Sequence, residues 1–408
     1  MTSSTNLTET DSLTGTAPGE EQLPERGRAP SRFKIAQVVE ATNAGVGRCV
    51  MDLVDGLLNE PVDVHLVYSP LRMSNEFRDR VAEFERRGAS VFECPINAKV
   101  NAREDFVSVR RLRKYLKQQG PFDIVHGHSS KGGAIARLAA RGLKTVVVYT
   151  PNAISTLDPR ISKKANFVYG TFERILDKFT TCQVAVSEDE ADHFVELGLA
   201  PDKIRTIPNC MNTYALPTRE EVRLAYDLPL DKRVLGFVGR LEPQKGPEVM
   251  IKAYARIAEQ FPDVILAMIG GGELEPQLRQ LTRDANLIDR VYFLGPQPGN
   301  WSMPGFDIFC MTSRYEGFPY VALEAAYAGL PIVSTRFQKR NLMLSEGENG
   351  YLVDIDDDAA MAEALTKLLA DPEKIAEFGR TSAEKFREFS AEGMVSKYMA
   401  LFQSLLQR

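Results

Sequence analysis

The chain has 408 residues, 44% hydrophobic and 26% charged, which is the balance of a folded globular protein and excludes wholesale disorder. That length exceeds one ordinary core, so two domains are expected. A formal net charge of −5 gives no basic field for nucleic acid, and no nucleic-acid partner is expected.

Residues 1–31 are rich in Ser, Thr, Glu, Gly and Pro and read as a disordered tail outside the fold. They lack a basic-then-apolar signal segment, and no later apolar run reaches transmembrane length. Cys49, Cys94, Cys182, Cys210 and Cys310 are scattered without paired spacing, which argues against a disulfide framework or a zinc site. A cytoplasmic protein is expected.

From Phe33 onward, short β-branched or aromatic runs at 33–39, 62–68, 122–125 and 145–149 alternate with helix-length amphipathic stretches at 46–58, 77–87 and 106–118. Buried strands alternating with helices predict a parallel sheet covered on both faces. Pro208-Asn209 ends this half, and 214–231 is a polar, proline-containing break. The same grammar then restarts, with strands at 234–238, 264–269, 291–294, 307–310 and 332–334 and helices at 248–260, 274–286 and 320–328. Residues 394–406 carry apolar side chains at helical spacing and predict a docked terminal helix. The expected fold class is α/β: two Rossmann-like doubly wound domains, 32–210 and 211–390, facing across a cleft. A terminal helix, 391–408, is expected to dock back on the first domain. A ligand belongs in that cleft, outside the carboxyl ends of the strands.

Loops at those ends carry the candidate chemistry. After Val238 the chain reads Gly239-Arg240-Leu241-Glu242-Pro243-Gln244-Lys245-Gly246 before a helix. Arg240 and Lys245 near a helix N-terminus suit a diphosphate, and two solvated surface cations would give the same pattern. After Cys310 the loop places Glu316 before Gly317, Phe318 and Pro319, with Glu324 on the following helix. A carboxylate there can accept both hydroxyls of a ribose; a loop acid and a dipole-favoured helix acid are the plain alternatives.

The string "SRYEGFPYVALEAAYAGLPIVST" resembles the signature of retaining GT-B glycosyltransferases of family 4, with Glu316 and Glu324 as its E-x7-E pair. "FVGRLEPQKG" is similar to that family's phosphate-binding loop. "DIVHGHSSKGG" and "VVYTPN" resemble first-domain segments of members that build bacterial exopolysaccharide and lipid-linked glycans. The likeness runs from about Lys34 to the C-terminus. It implies a GT-B fold, an acceptor-binding first domain and a second domain holding a nucleotide diphosphate-sugar, UDP-sugar ahead of GDP-sugar. It implies hexosyl transfer with retention at the anomeric carbon. By that resemblance Arg240 and Lys245 hold the diphosphate and Glu324 the ribose. Glu316, with the backbone at Gly317 and Phe318, faces the donor sugar, Gly45 and Gly47 form the glycine-rich loop near phosphate, and His128 touches the sugar with His126 structural. The catalytic set implied is thus His128, Glu316, Arg240 and Lys245. The sequence departs from the family at 336–341 (Arg-Phe-Gln-Lys-Arg-Asn), where relatives carry Gly-Gly and then Pro-Glu, and at Asn152, where relatives carry histidine.

No Asp-x-Asp motif is present, so no metal and no other cofactor is expected, the paired cations taking the electrostatic role. The expected acceptor is a glycan, including a polyprenyl-linked one. Residues 103–119 and 160–179 mix basic with apolar side chains, as helices lying on an anionic membrane do, and as an ordinary charged outer face does. Peripheral contact at the inner membrane face is therefore one expectation. Rival readings are a sugar-nucleotide epimerase of the same architecture and a non-catalytic partner subunit. A dehydrogenase is disfavoured, because Gly45-Val46-Gly47 lacks the third glycine of a dinucleotide fingerprint.

Overall fold

The computed structural model describes residues 32–42, 44–157, 161–338 and 343–407. The expectations for 1–31, Arg160 and 339–341 lie outside the described residues.

The first half is a parallel sheet of seven strands. They are β1 (Phe33–Val39), β2 (Val62–Tyr68), β3 (Ser90–Glu93), β4 (Ile124–His128), β5 (Val146–Thr150), β6 (Cys182–Ala185) and β7 (Ile204–Thr206). The spatial order is β3-β2-β1-β4-β5-β6-β7. Between the strands run α1 (Ala44–Leu57), α2 (Asn75–Arg86), α3 (Ala102–Gln119), α4 (Ser130–Ala140), α5 (Lys163–Asp177) and α6 (Glu188–Glu196). β1 reads FKIAQVV with every residue but Lys34 buried, the near-continuous apolar run of a strand covered on both faces. Helix starts are set by side-chain caps: Ser74 accepts from Phe77, and Asn101 from Arg103 and Glu104.

The second half begins with α7 (Arg219–Ala225), then β8 (Arg233–Val238), α8 (Pro247–Ile257), β9 (Val264–Ile269), α9 (Glu275–Asp284) and β10 (Val291–Phe293). It continues with α10 (Gly299–Ser302), β11 (Ile308–Met311), α11 (Tyr320–Tyr327), β12 (Ile332–Thr335), β13 (Gly350–Val353), α12 (Asp358–Leu369) and α13 (Pro372–Phe386). Its six parallel strands are ordered β10-β9-β8-β11-β12-β13. The architecture is the α/β, two-sheet GT-B arrangement expected.

The polar break at 214–231 is corrected: it contains α7, started by a reciprocal capping box between Thr218 and Glu221. Arg223 in that helix is buried, donating to the Gly305 and Lys232 carbonyls and pairing with Asp307 at 2.8 Å. β3, β6, β7 and β13, each of at most four residues, are not among the strands expected from the sequence.

The last helix, α14 (Ala391–Leu406), returns to the first sheet. Phe402 meets Phe33 edge-on at 6.3 Å, and Gly56 of α1 lies under Val395. A side chain at position 56 would put its Cβ 2.2 Å from Val395, so glycine is what lets the two helices touch. The chain crosses between the halves twice, side by side: Met211 bridges Ser390, and the Met211 N–H donates to the Phe389 carbonyl at 3.3 Å. No helix among the described residues is long and apolar enough to cross a membrane.

Beside this crossing, Asn212 donates to Asp52 of α1 at 3.0 Å and to Asp55 at 3.1 Å. Burial pushes the Asp52 carboxyl up to about 7, with Arg48 and Arg80 opposing. The folded chain therefore holds a proton that the unfolded chain releases near pH 4, and stability falls as pH rises from there towards 7. Asp52→Asn should remove this slope, so the variant gains stability relative to the parent between about pH 5 and about pH 8. Urea unfolding across that range decides it; parallel curves for both proteins would contradict a protonated Asp52.

Candidate active site

Each sheet has a point where the strand order reverses, between β1 and β4 in the first and between β8 and β11 in the second. Loops leaving adjacent strands in opposite directions open a crevice at their carboxyl ends. The two candidate loops, 239–246 and 312–319, leave β8 and β11 at that point.

These loops are pinned to each other. Gly246 has φ 57°, and a Cβ there would fall 2.4 Å from the Thr312 carbonyl oxygen, so only glycine serves. The Arg314 N–H donates to the Gln244 carbonyl at 2.8 Å, and Gln244 Nε2 donates to the Tyr315 carbonyl at 3.1 Å. The result brings Lys245 and Glu316 together as an ion pair, with Ser313 Oγ donating to Glu316 Oε1 at 2.7 Å. Both side chains are largely shielded, at 15% and 10% exposure, where charge is screened less than in open water. Arg240 stays outside this cluster. It is 55% exposed and pairs with Glu242 at 2.6 Å, while Nη2 donates to Gln244 at 2.9 Å.

Glu324 lies within α11 at 3% exposure, and its carboxylate meets the Arg48 guanidinium of α1, from the opposite half, at 2.5 Å. Burial pushes the Glu324 carboxyl upward and Arg48 pulls it back down. Arg48 also lies 5.9 Å over the Tyr320 ring. On the far side, Gly299 at the start of α10 presses on Glu324 Oε2, which a Cβ would approach to 2.2 Å. Sequence reasoning missed Arg48. The signal available was a cation directly after Gly45-Val46-Gly47, on the first turns of a helix at the cleft.

The halves also touch backbone to backbone. A Cβ on Gly317 would lie 2.7 Å from the Ala153 nitrogen, so the loop meets 152–153 only because it has no side chain there. Asn152 and Ala153 hold left-handed φ values of 55° and 79°. Buried Glu190 fixes them, accepting N–H groups from Ala153, Ile154 and Val186 at 2.9 Å each. Gln338 Nε2 donates to the Gly317 carbonyl, while the Phe318 ring packs on Phe389 at 5.6 Å. Phe318 thus anchors the loop to the interdomain crossing, and only its backbone is left for a ligand.

Gly45 and Gly47 belong to the first turn of α1 rather than to a loop before it. A Cβ at Gly47 would fall 2.8 Å from the Thr42 backbone, so that glycine serves local packing, whereas Gly45 is exposed and faces Tyr320.

The strand expected at 122–125 is longer than read and takes in both His126, expected to be structural, and His128, expected to touch the sugar. β4 runs on through His128, paired with β1 and β5, and both rings are fully buried. His126 Nε2 lies 2.8 Å from Thr150 Oγ1, and His128 Nε2 lies 2.7 Å from Gln37 Oε1. Burial lowers both, His128 to about 3, so the rings stay neutral. His128 Nδ1 has no partner. His126 packs on Tyr398 and Phe402 of α14, which places this pair in the seam holding the terminal helix.

Comparison with known proteins finds two family models. "Glycosyltransferase Family 4" matches residues 43–214 and "Glycosyl transferases group 1" matches 218–385. An Escherichia coli UDP-Gal:alpha-D-GlcNAc-diphosphoundecaprenol alpha-1,3-galactosyltransferase is 29% identical over 84% of this chain and 89% of its own length. A Mycobacterium leprae phosphatidyl-myo-inositol mannosyltransferase is 30% identical over 72% of this chain and 76% of its own. Among solved structures, Anabaena HepE in complex with UDP and glucose superposes with a TM-score of 0.76 at 18% identity. It covers 91% of this chain and all of that one (100%).

The buried pair across the cleft yields a test independent of activity. Arg48→Ala strands Glu324 without its cation and should destabilise the fold by roughly 3–5 kcal/mol. Adding Glu324→Gln should recover much of that loss, because the stranded charge is gone. A urea-denaturation double-mutant cycle showing additive effects would mean that the pair is not coupled.

Proposed function

Because this chain belongs to the glycosyl transferases of group 1, within glycosyltransferase family 4, and so is a glycosyltransferase, we propose that it moves a hexose from a UDP-sugar to a lipid-linked glycan acceptor with retention, independently of metal. The observation that carries this reading is the convergence of Lys245, Glu316 and Glu324 on the β8–β11 reversal point. A cation and two carboxylates there match the three parts of a nucleotide diphosphate-sugar. Lys245 meets the diphosphate, Glu324 the ribose hydroxyls, and Glu316 with the Gly317 backbone the sugar. A UDP donor is supported by the names of the galactosyltransferase relative and of the HepE complex. A lipid-linked acceptor is supported by the diphosphoundecaprenol and phosphatidylinositol in the relatives' names.

Lys245 and Glu316 satisfy each other, as do Arg48 and Glu324. Donor binding is then an exchange of partners. The diphosphate takes Lys245 from Glu316, which turns to a sugar hydroxyl, and the ribose shares Glu324 with Arg48. As the glycosidic bond breaks, charge builds on the leaving phosphate, where Lys245 is worth most. Exposed Arg240 reaches the same phosphate by releasing Glu242. The departing phosphate oxygen takes the acceptor proton on the same face, giving retention. His128, buried and neutral, holds the end of β4 beneath the cleft rather than moving this proton.

Lys245→Ala should lower kcat/KM by on the order of 2–4 kcal/mol equivalent and weaken UDP binding in a chain that still folds, with some stability lost because Glu316 is left without its cation. Steady-state assays with UDP-glucose and UDP-galactose, beside calorimetry with UDP, measure both; wild-type values in the variant would remove Lys245 from the site. Product release without any acceptor, with epimerised donor recovered, would favour an epimerase instead.

Activity should also survive exhaustive EDTA treatment, since the cations supply the electrostatic stabilisation. Loss of turnover restored by manganese or magnesium alone would show that a metal shares that role.

A further inference from the structure

Helix α5 shows water the wrong face. Its inner side is marked by buried Gly170, Glu173 and Leu176, and Glu173 pairs there with Arg137 at 2.8 Å. Its outer side carries Phe167 at 71% exposure, with Val168, Phe172 and Ile175 each about half exposed. A solvated helix has polar residues outward, so a contiguous apolar strip there marks an interaction surface. Lys163, Lys164, Arg174 and Lys178 are exposed around the strip. The helix's own acids are withdrawn from it: Glu173 is buried, and Asp177 is occupied by Gln183 at 2.7 Å and Lys203 at 3.6 Å. Among the described residues the border of the strip is net basic, with Glu196 of α6 the acid that shares a groove with Lys163, Phe167 and Arg174. On α3, which like α5 packs against α4, Phe106 and Val107 are also more than half exposed beside Arg103, Arg110 and Arg111.

Position adds to composition. The N-terminal turn of α5 is tied to the loop at the cleft by Asn166 Nδ2, which donates to the Thr156 carbonyl at 3.3 Å. That loop continues back to Ala153, which meets Gly317. Whatever covers the apolar strip lies next to the mouth of the site.

We propose that the outer face of α5 docks on an anionic phospholipid surface. Phe167, Val168, Phe172 and Ile175 sink to the boundary between headgroups and acyl chains, while the four basic residues meet lipid phosphates. A second copy is the poorer occupant, because a two-fold contact through this face would set the same basic border against itself. The proposal deepens the lipid-linked acceptor reading and rests on it for its purpose: docking holds the cleft where such an acceptor is embedded.

The full chain should sediment with vesicles of phosphatidylglycerol mixed with phosphatidylcholine, poorly with phosphatidylcholine alone, and less at raised salt. Phe167→Ser with Phe172→Ser, and separately Lys163→Glu with Lys164→Glu, should each cut partitioning by about tenfold or more. Unfolding, UDP binding and turnover on a water-soluble acceptor should stay unchanged in both. Failure of the parent chain to sediment, or partitioning by both variants equal to the parent's, overturns the proposal. A concentration-dependent dimer that these variants dissolve, without vesicle binding, also overturns it and assigns the face to a second copy. Variant-sensitive vesicle binding by a chain that transfers no sugar would sustain the docking face while removing the acceptor reading.

Discussion

Glu324 sits where an ionised carboxylate costs several kcal/mol unless a cation meets it, and the cation comes from the other half of the molecule. Arg48 stands on α1 directly after the first sheet's reversal point, and Glu324 on α11 directly after the second's. The pair couples the crevices of two sheets that share no strand. It holds the halves in register at the place where a ligand would span them, and it leaves a buried charge whenever they part. The side-by-side crossings at Met211 and Ser390 join the halves a second time, and Phe318 on Phe389 carries the loop to them.

Steric constraints narrow the geometry further. Gly246 under Thr312 and Gly317 against Ala153 are contacts that any side chain would break, so the loop after β11 is located from both sides. Glu190 completes the clamp from below. Three backbone N–H groups partly offset the cost of burying its carboxylate, and that same arrangement holds 152–154 in a conformation few non-glycine residues adopt. Strain at Asn152 and Ala153 is thus tied to a ligand-facing loop.

How far the sequence carried this picture depends on whether the signal was local. β1, β2 and β9 were delimited to the residue, because each is a long apolar run between polar turns. α7 lay in plain view as a T-x-x-E capping box and was passed over because its surroundings are polar. The loops after β8 and β11 were legible through Gly, Pro and charge spacing. Their meeting as Lys245–Glu316 was not, since it depends on a contact 71 residues apart in sequence. Arg48–Glu324, 276 residues apart, was further still beyond local reading. The end of β4 is a related case: "HGH" has a glycine that ends strands in isolation. Here Gly127 packs tightly under α4, so the strand continues and both rings end inside.

The two ion pairs explain how a site rich in charge can exist before its ligand arrives. Lys245, Glu316, Arg48 and Glu324 are each shielded enough that leaving any of them unpaired would be expensive, and each finds its partner within the chain. In the proposed donor reading an anionic ligand with hydroxyls would replace those contacts one for one, and its affinity would be a difference between two paired states rather than the full strength of either. A ligand that supplied only the diphosphate would leave Glu316 with Ser313 but without a cation. A ligand that supplied only sugar would leave Lys245 where it was. If the proposed donor contacts hold, the arrangement favours an intact molecule carrying phosphate and sugar at a fixed separation over its fragments, through the penalty on the group left behind. Specificity of that kind needs no further contact to be added; it follows from pairing the cation and the acid in the first place.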